Sequence, residues 1–169
     1  MFPEWVTPVS ILAPVALGWY WRRRPIGGWL FVYLWEATAR ALAAVVVGVL
    51  ANVKEFVPSS WHGENHIYLA FLVAELPPVA LAVAEAVVAV RGSSARRRDW
   101  SVVRRLRWIL GLELAFGALA AFIDVALWPA NLAMSALAMA WAVIWGAYFL
   151  RSRRVRSVFG APAVAATGP

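Results

Sequence analysis

The chain has 169 residues, of which 63% are hydrophobic and 15% are charged, and its formal net charge is +7. Globular proteins average roughly 45–50% apolar and about 25% charged residues, so a water-soluble fold could not bury this much apolar surface. The chain has no cysteine, which excludes disulfide bonds, thiolate metal sites, iron–sulfur clusters and cysteine nucleophiles. The composition therefore predicts an integral membrane protein.

Four apolar stretches are long enough to cross a bilayer, which takes roughly 20 helical residues. They cover residues 26–50, 67–90, 108–128 and 132–150. A fifth stretch, residues 5–21, has only 17 residues and contains Pro8 and Pro14. It either spans the bilayer or lies in the interface, and spanning is favoured because Thr7 and Ser10 are too few to form a polar face.

The predicted fold is an all-α transmembrane bundle of four core helices with an additional amino-terminal hydrophobic helix. Residues 1–24 form the amino-terminal segment, predicted to be transmembrane, and residues 25–159 form the four-helix core domain. Residues 160–169 are small or are proline and glycine, which predicts a flexible cytoplasmic tail.

Basic residues are concentrated on one side of the predicted spans. Residues 22–24, 91–107 and 151–156 contain 14 of the 16 lysines and arginines. Alternate spans bring these segments to one side, and the positive-inside rule makes that side the cytoplasm. We therefore expect a multi-pass protein of the bacterial inner (plasma) membrane with a cytoplasmic carboxyl terminus. Because topology already explains the positive charge, no nucleic-acid partner is expected.

The segment between the second and third spans mixes arginines with apolar residues. Trp100, Val103 and Leu106 recur at nearly helical spacing. This pattern is typical of a short interfacial helix on anionic headgroups, but a solvated loop that only sets topology would have similar charges. The arginines assigned to a lipid-facing basic loop are Arg96, Arg97, Arg98, Arg104, Arg105 and Arg107.

Two short motifs flank the four predicted spans. The first is Ile26-Gly27-Gly28-Trp29-Leu30, and the second comprises Tyr148, Phe149, Ser152, Arg154, Val155 and Phe159. With these motifs, residues 25–160 resemble the YdgK-like family of small bacterial inner-membrane proteins of unknown function, whose members show IGGWL and YFxxSxRVxxxF. The resemblance implies a four-helix membrane core and no particular chemistry. The glycine pair would also let another backbone approach closely.

Six ionisable residues lie inside the predicted spans, where a charge costs at least about 2.5–3.5 kcal/mol unless it is paired or hydrated. Counting from the cytoplasmic ends places them on different levels. The intramembrane charge cluster comprises Glu36, Arg40, Glu75 and Asp124, and a second, shallower polar level comprises Glu85 and Glu113.

Arg40 is expected to contact Glu75 or Asp124, and it shares a helix face with Glu36. One interpretation is a neutralised ion-pair network that fixes how the helices pack. The alternative is a polar path or ligand pocket. Pro77 follows Glu75 closely, and a proline inside a helix leaves a backbone carbonyl without its helical hydrogen bond, so that the carbonyl can line such a pocket.

On the third span, Glu113 and Asp124 are eleven residues apart and therefore lie on nearly the same helix face. Gly117 and Ala120 lie near the same line, so this face is suited to packing inward.

The connection between the first two core spans contains His62, Glu64 and His66, which are weak candidates for metal ligands. No metal site and no cofactor is expected, and this connection is interpreted as a polar outer cap.

No pattern of catalytic residues is present, so the chain is predicted not to be an enzyme. The favoured function is a non-enzymatic accessory or scaffold protein. Its expected partners are the lipid bilayer, with anionic headgroups, and a membrane protein or a second copy of the chain. The alternative is a small proton-linked transporter or channel that uses the intramembrane charge cluster.

Overall fold

The structure is a computed structural model that describes residues 6–24, 26–94 and 99–160, with side chains from residue 12 onward. Within these ranges the helices are α1 Val6–Tyr20, α2 Trp29–Ala43, α3 Asn65–Ser94, α4 Trp100–Leu127, α5 Leu132–Arg151 and α6 Arg153–Phe159. A π-helical segment, Ala44–Leu50, continues α2. The described ranges contain no strand, so the predicted all-α helical bundle is confirmed.

Four segments are long and apolar enough to cross a membrane, namely Trp29–Leu50, Asn65–Ser94, Trp100–Leu127 and Pro129–Arg151. They agree with the predicted spans, except that α3 ends four residues later and α4 begins eight residues earlier than expected. Few of their apolar side chains are buried inside the bundle, since only 11% of the most apolar part of α3 is buried. Such outward apolar faces fit a lipid environment. Helix α1 has only 15 residues, and its spanning stays a prediction.

The four long helices alternate in direction, which separates two ends of the bundle. We call the end that carries the arginines of residues 22–24, 104–107 and 151–156 the basic end. The other end carries the connections of residues 51–64 and 128–131, and we call it the loop end. The predicted tail from residue 161 onward lies outside the described residues.

The best-packed part of the core lies near the basic end. Tyr33 of α2 is fully buried, and its ring centroid lies 5.0 Å from that of Trp145 and 4.7 Å from that of Phe149. These rings fill the space between α2 and α5. At the loop end, Trp61 and Trp128 approach with ring centroids 6.4 Å apart. Aromatic pairs of this kind add about 0.5–1.5 kcal/mol beyond area burial.

Residues 100–107 form the first two turns of α4, so within this range the chain forms neither a separate helix nor a loop. Val103 and Leu106 are 0% and 2% exposed and belong to the bundle core. Their helical spacing therefore marks the inward face of a continuing span. Arg104, Arg105 and Arg107 are exposed on this helix. The other arginines of the predicted basic loop, Arg96, Arg97 and Arg98, lie outside the described residues.

The predicted close approach at the glycine pair is confirmed. The Gly28 N–H, at a φ of 59°, donates to the Gly18 carbonyl of α1 at 2.8 Å. A methyl group on Gly27 would lie 1.8 Å from the Trp21 carbonyl oxygen. Only glycine therefore permits the tight connection between α1 and α2, and Trp29 after it is mostly exposed.

Helix α6 folds back onto the bundle. The Ser152 hydroxyl caps it by accepting a hydrogen bond from the Val155 N–H at 3.3 Å. Val155 and Phe159 are 0% and 2% exposed, and both join the core cluster that contains Phe149. The half-buried Tyr148 packs its ring against Phe149.

Arg154 ties α6 to the connection before α2. Its guanidinium donates to the carbonyl oxygen of Arg22 at 2.6 Å and also to that of Arg24. The two motifs that flank the predicted spans therefore lie next to each other in space, although they are far apart in the chain.

Replacing Arg154 with Gln should lower the free energy of unfolding by about 1–2 kcal/mol, because two charge-assisted hydrogen bonds are lost. Arg154→Lys should recover only part of this loss, since an ammonium group lacks the planar fork. Thermal unfolding in detergent measures both. Arg153→Gln, an exposed change on the same helix, is the control and should have little effect. Equal losses for Arg153→Gln and Arg154→Gln would contradict the assigned role.

Candidate functional site

Arg40 is the centre of a buried polar network that joins all four long helices. Its guanidinium forms ion pairs with Glu85 of α3 and, at 2.6 Å, with Glu113 of α4. Glu85 is fully buried and also accepts a hydrogen bond from the Tyr33 hydroxyl at 2.7 Å. The Arg40 Cζ lies 5.0 Å from the ring centroid of Trp141 on α5, in cation–π geometry. The charged group is therefore held from several sides.

The expected pairing of Arg40 with Glu75 or Asp124 is wrong. The prediction places the ends of these spans at Val90 and Trp108, but α3 continues to Ser94 and α4 begins at Trp100. From the helix ends at the basic side, Arg40 is 11 residues deep, Glu85 nine and Glu113 13. At about 1.5 Å per residue these three lie within about 6 Å of one level.

Beyond this network, a cavity of about 520 Å³ reaches the loop end. Its floor includes Arg40 and Glu113, and the exposed residues Asn52, Glu55 and Asn131 lie at its rim. This volume lies within the range of roughly 300–1,000 Å³ found for small-molecule sites. The remaining lining residues are Gly48, Phe71, Ala74, Glu75, Pro78, Gly117, Ala120, Met134, Ser135, Asp124 and Ala138.

Glu75 and Asp124 lie on the cavity wall and are close enough for their charges to interact. Asp124 is 4% exposed and accepts a hydrogen bond from the Ser135 hydroxyl, whereas Glu75 is half-buried. Helix α3 continues through Pro77 and Pro78. Because proline has no N–H, the carbonyl oxygens of Val73 and Ala74, four residues earlier, accept no helical hydrogen bond. Ala74 lines the cavity.

Glu113 has an oxygen without a hydrogen-bond partner in the described part of the chain. Its Oε1 is paired with Arg40, but its Oε2 is buried and unpaired, and the residue is only 6% exposed. An unpaired buried oxygen costs about 1–3 kcal/mol or more, so native proteins rarely retain one without a partner. Glu113 lines the cavity, so its carboxyl group adds an acidic group to the cavity floor.

The inward-facing small residues of α4 are confirmed. Gly117 and Ala120 are buried, as are Glu113 and Asp124 on the same face. A methyl group on Gly117 would lie 2.9 Å from the Met139 Cγ of α5, so these two helices pack closely here.

Other predicted site residues lie elsewhere. Glu36 is half-buried and takes part in neither ion pair of Arg40. His62, Glu64 and His66 are exposed in the connection before α3 and at its start. Across residues 6–24, 26–94 and 99–160, no group of three His, Cys, Asp or Glu side chains could hold a metal ion.

Sequence reasoning missed three side chains of the site: Tyr33, Ser135 and Trp141. Tyr33 was detectable, because it precedes Arg40 by two helical turns and thus shares its face. Ser135 lies four residues after the turn at Asn131, and Asp124 lies four residues before Trp128, so a helical hairpin brings them opposite each other. Trp141 carried no such signal.

Comparisons with protein-family models, with curated proteins and with solved structures find no match. The resemblance to the YdgK-like family therefore stays a prediction.

Proposed function

We propose that this membrane protein binds a small organic cation in the cavity at the loop end, as a small solute transporter would. The observation that carries the proposal is the excess of carboxyl groups over positively charged groups in the cavity wall. This function belongs to the class that the intramembrane charges suggested as an alternative to an accessory role.

The charges on the cavity wall favour a cation. Four carboxyl groups line it, from Glu55, Glu75, Glu113 and Asp124, against the guanidinium of Arg40. Glu85, which does not line the cavity, also neutralises that guanidinium. A bound cation would therefore meet an excess of negative charge in a place where the low dielectric strengthens the attraction.

The uncharged part of the wall favours an organic solute. Phe71, Pro78 and Met134 supply apolar surface, and an aromatic ring and a thioether both accommodate cationic alkyl groups. A solute of this class combines a positive charge with apolar substituents and needs both parts of the wall.

Benzyltrimethylammonium is a suitable probe, with calorimetric titration of the purified protein in mild detergent as the measurement. Glu75→Gln and Asp124→Asn should each weaken binding about tenfold, which is roughly 1.4 kcal/mol. Glu64→Gln removes an exposed acid that does not line the cavity and should leave binding unchanged.

Equal binding of neopentylbenzene, the neutral analogue of the probe, would contradict a charge-selective site. Uptake of the probe into proteoliposomes of the pure protein, driven by a pH gradient, would support proton-linked transport. Binding without uptake would restrict the proposal to a solute-binding protein. The accessory or scaffold role stays a prediction, and a stoichiometric partner that co-purifies would support it.

The proposal includes the predicted topology. With arginines at the basic end, the positive-inside rule puts α6 in the cytoplasm of a bacterial cell, and the cavity then opens to the opposite side of the inner membrane.

A further inference from the structure

A second groove lies on the outside of the bundle, between α4 and α5 and near the basic end. Its volume is about 690 Å³, and it shares no lining residue with the cavity at the loop end. Arg104 and Arg107 lie at its mouth, in the first turns of α4. From there it runs past Trp108, Gly111 and Leu114.

The groove has free space along its length because each of its two helices contributes a glycine, which has no side chain to fill it. A methyl group built on Gly111 of α4 or on Gly146 of α5 would meet nothing within 4 Å. Leu110 and Ala142, at 2% and 4% exposure, close the groove toward the core. The result is an apolar groove along two helices with positive charge at one end.

We infer that this groove binds one anionic diacyl phospholipid, with its phosphate at Arg104 and Arg107 and an acyl chain along Gly111 and Gly146. Arginine pairs well with phosphate, because its fork of donors matches the oxygens. The arginines lie in the opening turns of a span, which is the depth of headgroups, and Trp108 beside them is 71% exposed, as expected for an interfacial tryptophan. Charge and shape therefore both match a phospholipid.

A second copy of the chain fits this groove less well. In a two-fold symmetric dimer the same surface of each copy meets its equivalent. Two copies joined through this groove would bring Arg104 and Arg107 against the same arginines of the partner, and such like-charge contacts are unfavourable.

The test measures lipid retention by native mass spectrometry of the purified protein, with phosphatidylglycerol and phosphatidylcholine of identical chains. The unchanged protein should bind phosphatidylglycerol at least tenfold more tightly. Arg104→Gln with Arg107→Gln should abolish this preference. Arg105→Gln, an exposed arginine of the same helix that does not line the groove, is the matched control and should preserve it.

Gly146→Leu tests the apolar part, because it fills the groove without changing the charge. It should weaken retention of phosphatidylglycerol about tenfold, and Gly111→Leu should do the same if Gly146→Leu fails to fold. Equal effects of Arg105→Gln and the double arginine change would overturn the site in favour of general surface charge. Unchanged retention in both glycine variants, equally tight binding of glycerol phosphate, or a dimer that Gly146→Leu disrupts would also overturn it.

Discussion

Replacing Glu85 and Glu113 together by Gln should destabilise the protein more than Arg40→Gln, by about 2 kcal/mol or more. The double change leaves the Arg40 guanidinium inside the bundle without either of its carboxylates. Arginine cannot release its proton, and an unpaired buried charge typically costs about 3–5 kcal/mol. Arg40→Gln instead leaves two carboxyl groups, and these can become neutral by taking up protons.

Unfolding in detergent, followed by circular dichroism, measures both variants. Glu55→Gln with Glu64→Gln is a matched double change at exposed acids and should have little effect. The triple variant that removes Arg40 as well should recover much of the stability lost by the double carboxylate variant, because no charge remains unpaired. A double variant as stable as Arg40→Gln would mean that water in the adjacent cavity hydrates the guanidinium.

Gly27→Ala should produce the largest loss of stability expected from a single methyl group. The new Cβ would lie 1.8 Å from the Trp21 carbonyl oxygen, so the connection between α1 and α2 must shift. That shift also affects the hydrogen bond from Gly28 to Gly18, which holds α1 against α2. We expect a loss of about 3 kcal/mol, at the upper end of overpacking effects.

Replacing Gly111 with Ala should instead increase the stability of the protein. Gly111 lies inside α4, and a methyl group there meets nothing within 4 Å. Alanine should therefore stabilise the helix by up to about 1 kcal/mol, since glycine loses more backbone entropy on folding. Thermal unfolding of the two variants side by side measures the contrast, and similar melting temperatures would contradict the tight packing at Gly27.

Much of the fold could be predicted because a bilayer demands helices of known length. Apolar runs identified the four long helices, and the error at α4 has a clear cause. The arginines of residues 104–107 interrupt the apolar run, yet Val103 and Leu106 still face the core. A helix that leaves the bilayer can have one face in the bundle and another among headgroups, so average hydropathy underestimates its length.

The residues of the site were easier to predict than their contacts. Intramembrane charges stand out in any sequence, and Arg40, Glu75, Glu113 and Asp124 all line the cavity. Their pairing depends on where each helix starts, and an error of eight residues moves a side chain by about 12 Å. The cavity could be anticipated only in part, from the prolines after Glu75, because its walls come from the relative placement of four helices.

The position of Arg40 in the second helix has a consequence for how the chain enters the membrane. Glu85 follows Arg40 by 45 residues and Glu113 by 73. At about 5–20 residues per second, the ribosome takes roughly 2–9 s to make the first of these partners. During that interval Glu36, one turn earlier on the same helix face, is the only acid of α2 near Arg40, and the apolar residues of α2 must offset what remains of a cost of about 2.5–3.5 kcal/mol. Glu85 and Glu113 then lower this cost when their helices arrive beside α2.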